Sequence, residues 1–466
     1  MHITLSSHRR AQRRKARNRK AQYRRPVAGF SLLEVVVTLG IVAVVLIAAL
    51  SLVDSGGTVT RSQTAISDLQ NNQRVAQQEM TRMLEMTGLG GVPEGIDPDL
   101  AGNINGGVFP NGLAIAVTNN VPPDTRIGSD LTTPGVVEGS DVLTVRGVLS
   151  TPVYFIEPQQ TLTLDGNGMA SVTIQQNPEI GVTQDLETLR QVLGAALAAT
   201  PQRPEAFIVR DRFNPGAFAV MELNPAGTAL GAQGDPSLTI GLILSSNESN
   251  QQYANEYGRM NLGTTLLQGS GGTQVILPDG TSVQLPRMIG SIGLLEEYRF
   301  YIREAWSIAG DSTSLPRPAL SRARFYPGSD DLHPDGSIDV STGVLDLQVA
   351  LGVDLPPVDG RVADGFDAAG QAVGRDEDEV LYNHPDDDDG LSPAPGSRTW
   401  AALGAQVLFA RLSTVVQAES PDRTFAGRDL GSIEDHDLSD SVFNSGALSK
   451  VRKRHLQTIV KLRNLS

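Results

Sequence analysis

The sequence predicts an α+β protein in which one long N-terminal helix, membrane-spanning in its first half, packs on a large β-rich head. Three observations lead to this prediction. A mostly apolar run covers residues 30–53, apolar residues then recur at helical spacing over residues 59–86, and segments of strand-like composition follow. The 48 glycines and 27 prolines among 466 residues favour short strands joined by many turns.

The charges are divided between two oppositely charged parts of the chain. Residues 1–29 contain ten Lys and Arg and no acid, whereas the remainder contains 28 Lys and Arg against 52 Asp and Glu, a net charge of −24. A basic block directly before an apolar run is typical of a membrane signal whose N-terminus stays in the cytoplasm. The alternative is a basic tail that binds nucleic acid, but the adjoining apolar run favours the membrane.

The apolar run is long enough to cross a bilayer. As a helix it spans about 36 Å, against a hydrocarbon core of about 30 Å. A secretory signal peptide has a shorter apolar core followed by a small-residue cleavage site, so an uncleaved anchor fits better. One acid, Glu34, lies near the start of the run. Because a carboxylate in lipid costs a few kcal/mol unless it is paired, Glu34 indicates a function.

The residues around this acid carry a family resemblance. The stretch GFSLLE covers residues 29–34 and is followed by about twenty apolar residues. This pattern resembles the class III signal of type IV prepilins and of type II secretion pseudopilins. The resemblance implies that prepilin peptidase cuts between Gly29 and Phe30, methylates the new N-terminal Phe, and leaves the apolar helix on the mature protein.

Such processing would supply Glu34 with a partner. The new amine at Phe30 lies four residues before Glu34, about 6 Å along a helix. A carboxylate at this position can neutralise the amine of a neighbouring subunit when helices pack side by side in a low dielectric. Glu34 is therefore interpreted as an assembly residue that sets the register. The alternative is that Glu34 extends to the headgroups near the end of the helix.

The residues after the apolar run predict an amphipathic second part of the helix. Apolar side chains recur over residues 59–86, and the polar positions between them are rich in Gln and Asn. This pattern fits a helix with one face on a sheet and the other toward neighbouring subunits. Residues 54–57, Asp-Ser-Gly-Gly, predict a kink or a local loss of helix, and the glycines from residue 88 onward predict the helix end.

Beyond residue 93 the patterns predict strands and one helix. The strand segments are β-branched or alternate between apolar and polar, and the turns at 165–168 and 278–280 predict hairpins. A helix is expected from residue 185, ending before Pro201. The predicted strands are 141–149, 161–174, 206–211, 217–223, 238–244, 273–285 and 297–304, with a closing strand in 455–466.

Several segments, in order after the signal, resemble the successive blocks of PilW-type minor pilins. These segments are 68–91, 139–147, 295–304, 341–354, 407–416 and 452–466. With this resemblance the chain divides into a cleaved basic leader at 1–29, a transmembrane and amphipathic helix at 30–88, and an extracytoplasmic, β-rich, pilin-like head at 89–466. The stretches between the blocks are interpreted as loop insertions.

Clustered acids raise the alternative of calcium binding. The stretch DLHPDGSIDVST resembles an EF-hand loop but departs from it at His333, in the third position, and at Thr342, where a bidentate Glu is expected. Its candidate ligands are Asp331, Asp335 and Asp339. A second candidate is the acidic loop at about 358–390, although a solvated loop has the same composition. We expect no resident cofactor, with calcium as the alternative.

No motif indicates an enzyme. The chain has no cysteine, which excludes disulfides and thiol nucleophiles. The six histidines show no paired metal spacing, and the serine-hydrolase elbow, Walker A and dinucleotide-binding motifs are absent. We therefore expect neither catalytic residues nor cofactor-binding residues. Because the chain after the leader is strongly acidic, we also expect no nucleic-acid partner.

The resemblance implies a minor pilin that takes part in type IV pilus assembly, in a priming or tip complex, after cleavage. The implied partners are prepilin peptidase, other minor and major pilins, the pilus assembly platform and the inner membrane. The implied location is a single-pass inner-membrane protein with a periplasmic head, and the pilus after assembly. Two alternatives are a minor pseudopilin of a type II secretion system and a calcium-dependent adhesin at a pilus tip.

Overall fold

A computed structural model describes most of the helical region and the main strands. The described residues are 31–90, 114–122, 124–127, 135–158, 160, 169–199, 205–212, 218–243, 273–276, 282–285, 289–305, 317–327, 331–354, 380–382, 406–418, 432–433, 436–438 and 451–462. The chain divides into two compact units, Met1–Ser62 and Gln63–Ser466, which are described separately below. The fold is α+β, as predicted: a long N-terminal helix and a β-rich head built from antiparallel sheets.

Helix α1 runs from Leu32 to Met86 as one continuous helix. The expected loss of helix at residues 54–57 is wrong, because these residues keep the helical conformation. Hydroxyls of the next turn support this region: Thr58 Oγ1 donates to the carbonyl of Asp54 and Thr60 Oγ1 to that of Gly56, both at 3.0 Å. Two glycines cost a helix only about 2 kcal/mol together, which the long flanking segments offset.

The helix ends where the glycine pattern predicts. Gly88 and Gly90 have φ values of 77° and 89°, which lie in the left-handed region where glycine is favoured. The amide of Gly88 donates to the carbonyl of Arg146 at 3.0 Å, so the end of the helix is joined to a strand of the head. A Cβ at Gly90 would lie 2.4 Å from Val148 Cγ2, so close packing as well as backbone conformation requires glycine there.

The described part of the head contains one further α-helix and eighteen strands. Helix α2 spans Leu186–Ala198, close to the predicted position, and Asp185 caps it by accepting from the amides of Glu187 and Thr188. The strands are β1 Ile115–Thr118, β2 Val142–Gly147, β3 Tyr154–Phe155, β4 Met169–Gln175, β5 Ala206–Asp211, β6 Phe218–Leu223, β7 Ser237–Ile243, β8 Thr273–Ile276, β9 Ser282–Leu285, β10 Ile289–Arg303, β11 Ala319–Phe325, β12 Leu332–Thr342, β13 Val344–Asp354, β14 Val380–Tyr382, β15 Gln406–Gln417, β16 Ser432–Ile433, β17 His436–Asp437 and β18 Lys453–Lys461.

The larger sheet has ten strands and is organised around β10. Its main path is β1-β2-β10-β5-β6-β7-β4, with β11 and β3 also paired to β10 and β12 paired to β11. Strand β10 starts at Ile289, eight residues before the predicted start, since its first half pairs with β5 and β3. The predicted hairpin turn at 165–168 lies outside the described residues, and the described part of that segment, β4, pairs with β7.

The smaller sheet has the order β14-β13-β15-β18 and shares a core with the second half of α1. Met80, Met83 and Leu84 of the helix are buried in one cluster with side chains of β13 and β15. The closing strand β18 is confirmed and pairs antiparallel with β15. Strands β8 and β9, which flank the turn predicted at 278–280, pair with each other as a separate two-stranded sheet, and residues 278–280 lie outside the described residues.

Two arginines and one glutamate form a buried ionic cluster in the larger sheet. The Glu297 carboxylate accepts from Arg146 Nε and from Arg299 Nε, both at 2.8 Å. The side chains of Arg146 and Glu297 are fully buried, and Arg299 also lies over the Phe325 ring at 4.0 Å. Register places Glu297 opposite Arg146 of β2, so the strand pairing brings the opposite charges together.

This cluster predicts a strong non-additivity in stability. Glu297→Leu should lower the free energy of unfolding by about 3–5 kcal/mol, because it leaves buried arginine without its carboxylate. The double variant Arg146→Met/Glu297→Leu should lose clearly less than the sum of the two single variants. Thermal unfolding of the detergent-solubilised chain by circular dichroism measures the difference. Strictly additive losses would contradict the coupling.

Candidate functional site at the N-terminus of helix α1

Of the three residues that the sequence assigns to processing and assembly, the structure describes Glu34. Gly29 and Phe30 lie outside the described residues, as does the leader. Glu34 lies in the first turn of α1 with its side chain in an exposed position. The structure therefore locates the predicted assembly acid at the start of the helix, three residues after Ser31.

Ser31 caps the helix. Its hydroxyl oxygen accepts from the backbone amide of Glu34 at 3.1 Å, and its carbonyl accepts from the amide of Val35 at 3.1 Å. The first four amides of a helix have no partner within the helix, so a serine here satisfies one of them. In the next turn the Thr38 hydroxyl donates to the carbonyl of Glu34 at 2.7 Å.

The capping gives Glu34 a local role that the sequence reading missed. Ser31 and Glu34 have the spacing of a capping box, Ser-x-x-Glu, which marks helix starts in sequence. An acid in the first turn is also favoured by the positive end of the helix dipole. Glu34 is thus suited to stabilise the start of its own helix, in addition to any contact with another subunit.

The first part of α1 presents apolar side chains on all sides. Between Leu32 and Val53 the large apolar residues are 46% to 85% exposed. By length and composition α1 could cross a membrane, with a mean hydropathy of 2.9 over its most apolar window and none of that window buried. It is the one such helix in the described part of the chain. Apolar residues around the whole circumference are what lipid or neighbouring helices would cover.

Comparison with protein families identifies this region. The family described as "Prokaryotic N-terminal methylation motif" matches residues 24–50, which include Gly29, Phe30 and Glu34. This prepilin-type motif supports a type IV pilin-like or pseudopilin-like protein. No curated protein and no solved structure matches the chain. The support from known proteins therefore comes from the N-terminal segment alone, and the head is described by its own geometry.

The motif has direct implications for processing and location. It implies cleavage by prepilin peptidase and interaction with pilus components in general. Together with the apolar helix it fits anchoring in the inner membrane. These statements depend on the segment from residue 24 to residue 50 and on no residue of the head.

The candidate calcium ligands Asp335 and Asp339 lie on a strand, whereas an EF-hand would place them in a loop. Residues Leu332–Thr342 form strand β12 and not a loop, so the loop expectation is wrong. Asp335 Oδ2 contacts Arg324 Nη1 at 2.6 Å, and Asp339 Oδ1 accepts from Arg303 Nε at 2.9 Å. Asp331 immediately precedes the strand. Pairing of β12 with β11, and of β11 with β10, brings Asp335 and Asp339 to these arginines, which their spacing in sequence could not reveal.

Strand β12 also contributes a histidine to a nearly buried polar pair. His333 Nε2 lies 2.8 Å from Glu205 Oε1, and both side chains are nearly buried. Within the described residues, no group of three or more His, Cys, Asp or Glu side chains is arranged to hold a metal ion. Apart from strand β14 at Val380–Tyr382, the acidic loop at about 358–390 lies outside the described residues.

The Asp339 contacts predict a pH-dependent contribution to stability. Partial burial acts to raise the pKa of Asp339, but hydrogen bonds from Arg303 and Ser321 and the charge of Arg303 outweigh burial, so the pKa is below its ordinary value. A carboxyl group with a lowered pKa stabilises the fold above about pH 4 and loses this effect as the pH falls through the folded-state pKa.

We therefore expect Asp339→Asn to destabilise the protein at neutral pH and to have a smaller effect below about pH 4. Thermal unfolding of both proteins across this pH range measures the difference. A penalty of equal size at all pH values would show that the carboxylate charge is not the cause.

Proposed function

We propose that the protein is a minor pilin of PilW type that takes part in type IV pilus assembly after cleavage by prepilin peptidase. The observation that carries the proposal is the methylation motif at residues 24–50, placed at the start of a helix that continues into the head. Cleavage before Phe30 would leave this helix on the mature subunit. The helix would then serve as membrane anchor before assembly and as packing element afterwards.

The size of the head supports a minor subunit. The β-rich unit covers Gln63–Ser466 and contains a ten-stranded and a four-stranded sheet. Such a head is large for a subunit that repeats along a narrow filament, and it suits a subunit that primes or caps one. In this proposal the leader stays in the cytoplasm and the head lies in the periplasm until assembly.

We propose that the subunit acts through non-covalent contacts with lipid and with other subunits. The apolar first part of α1 supplies affinity for lipid and then for neighbouring helices, while Glu34 supplies register. After cleavage the Phe30 amine lies four residues before Glu34, and an opposed amine and carboxylate are strongly preferred to either charge alone when both are away from water. The Ser31 cap holds the backbone of the first turn, and it therefore sets the position from which the Glu34 side chain extends.

Three variants separate the charge of Glu34 from its capping role. Glu34→Gln keeps the capping-box pattern but removes the charge, Glu34→Ala removes both, and Ser31→Ala removes the cap while keeping the charge. We expect both Glu34 variants to insert into membranes normally and to fall about a hundredfold or more in the sheared filament fraction, because an unpaired buried charge costs about 3–5 kcal/mol. Ser31→Ala should incorporate close to wild-type levels.

Quantitative immunoblots of membrane and filament fractions measure both steps. Wild-type incorporation of Glu34→Gln would contradict the proposed pairing and leave capping as the role of this acid. The identity of the co-purified subunits decides between a pilus and a type II secretion pseudopilus, since both use the same signal.

A further inference from the structure

An open groove of about 810 Å³ runs along the second part of α1, between the helix and strand β18. It lies entirely within the unit Gln63–Ser466. The helix lines it with residues at helical spacing, and Arg454 and Leu456 of β18 line the other side. The helical residues are Gln70, Gln73, Arg74, Gln77, Gln78, Thr81, Arg82 and Glu85.

The shape of the groove fits an extended segment of polypeptide. From Gln70 to Glu85 the helix advances about 22 Å. This length equals that of about seven residues of extended chain. An elongated, open groove with mixed polar and apolar walls is suited to a peptide, whereas small ligands favour enclosed cavities.

Two glutamines in the groove have contrasting surroundings. Gln77 is satisfied: its Nε2 donates to Thr414 Oγ1 at 3.3 Å and to the carbonyl of Leu456 at 3.2 Å, and its Oε1 accepts from the Thr458 hydroxyl. Gln73 is only 2% exposed, yet its Nε2 has no hydrogen-bond partner. A buried amide donor without a partner costs stability, so its retention indicates a group that enters the groove and accepts from it.

The charge of the groove indicates the chemistry of that group. Three of its four charged lining residues are arginines, Arg74, Arg82 and Arg454. Arg82 is paired with Glu79 at 3.0 Å, whereas no ion pair between described residues involves Arg74 or Arg454. Acceptor oxygens that also carry negative charge would satisfy Gln73 and both of these arginines.

We propose that this groove binds an extended acidic segment of a different subunit, with a carboxylate of the segment accepting from Gln73 Nε2 and lying near Arg74 and Arg454. The inference rests on residues of the unit Gln63–Ser466 alone and does not depend on the processing at Gly29. A failure of peptide binding would therefore leave the proposed pilin function untouched.

The test uses the full chain in detergent and two labelled peptides, fluorescein-(Glu-Gly)5 and fluorescein-(Gln-Gly)5. Fluorescence anisotropy should show that wild type binds the glutamate peptide about tenfold more tightly than the glutamine peptide, which corresponds to about 1.4 kcal/mol. Gln73→Leu and Arg74→Gln should each weaken binding of the glutamate peptide about tenfold. Arg212→Gln, at a residue that does not line the groove, should leave binding unchanged.

Gln77→Leu is the matched control for the buried amide. Gln73→Leu removes an unsatisfied donor and should keep or raise the melting temperature while weakening peptide binding. Gln77→Leu removes a satisfied amide and should lower the melting temperature. Wild-type peptide binding by Gln73→Leu, or equal binding of the two peptides by wild type, would overturn the proposal. Self-association of the chain that the glutamate peptide reverses would make a second copy the occupant and overturn the assignment to a different subunit.

Discussion

The structure depends on helix α1, whose first part exposes apolar side chains and whose second part packs into the core of the head. From Leu32 to Val53 its apolar side chains are exposed all around, whereas from Leu69 to Leu84 one stripe is buried in the core of the head. Hydrophobic burial explains both parts, since apolar surface that the fold does not cover must be covered by lipid or by other helices. The break expected at residues 54–57 is absent, so the backbone hydrogen bonding is continuous from one part to the other.

Within the head, polar contacts specify how the helix joins the sheets. Gln77 connects the helix to strands β15 and β18. The Asn72 side-chain amide donates to the carbonyl of Thr342, and the backbone carbonyl of Asn72 accepts from the Ser341 hydroxyl. Arg322 of β11 pairs with Glu79. These bonds are directional, in contrast to the Met-rich apolar contacts beneath them, and so select one register of the helix on the head.

The parts of the fold that could be predicted are those with a strong periodic pattern. Helix α1, helix α2, the pairing of β8 with β9 and the closing strand β18 follow from spacing and turn residues alone. The early start of β10 could not be read from Gly290 and Gly293, because long-range pairing with β5 outweighs their weak strand preference. The contacts of Asp335 with Arg324 and of Asp339 with Arg303 could not be read from the sequence for the same reason, because these side chains meet only after the strands pair. Gln73 and Gln77 look equivalent in sequence, and only packing distinguishes the unsatisfied amide from the satisfied one.

The central claim is that Glu34 belongs to a chain whose N-terminus is created by cleavage, and mass spectrometry of the membrane-derived protein tests it most directly. The account predicts a mature chain that begins at Phe30 and carries one methyl group on its terminal nitrogen. A chain from the same membranes that retains residues 1–29, or that begins at another residue, would contradict it.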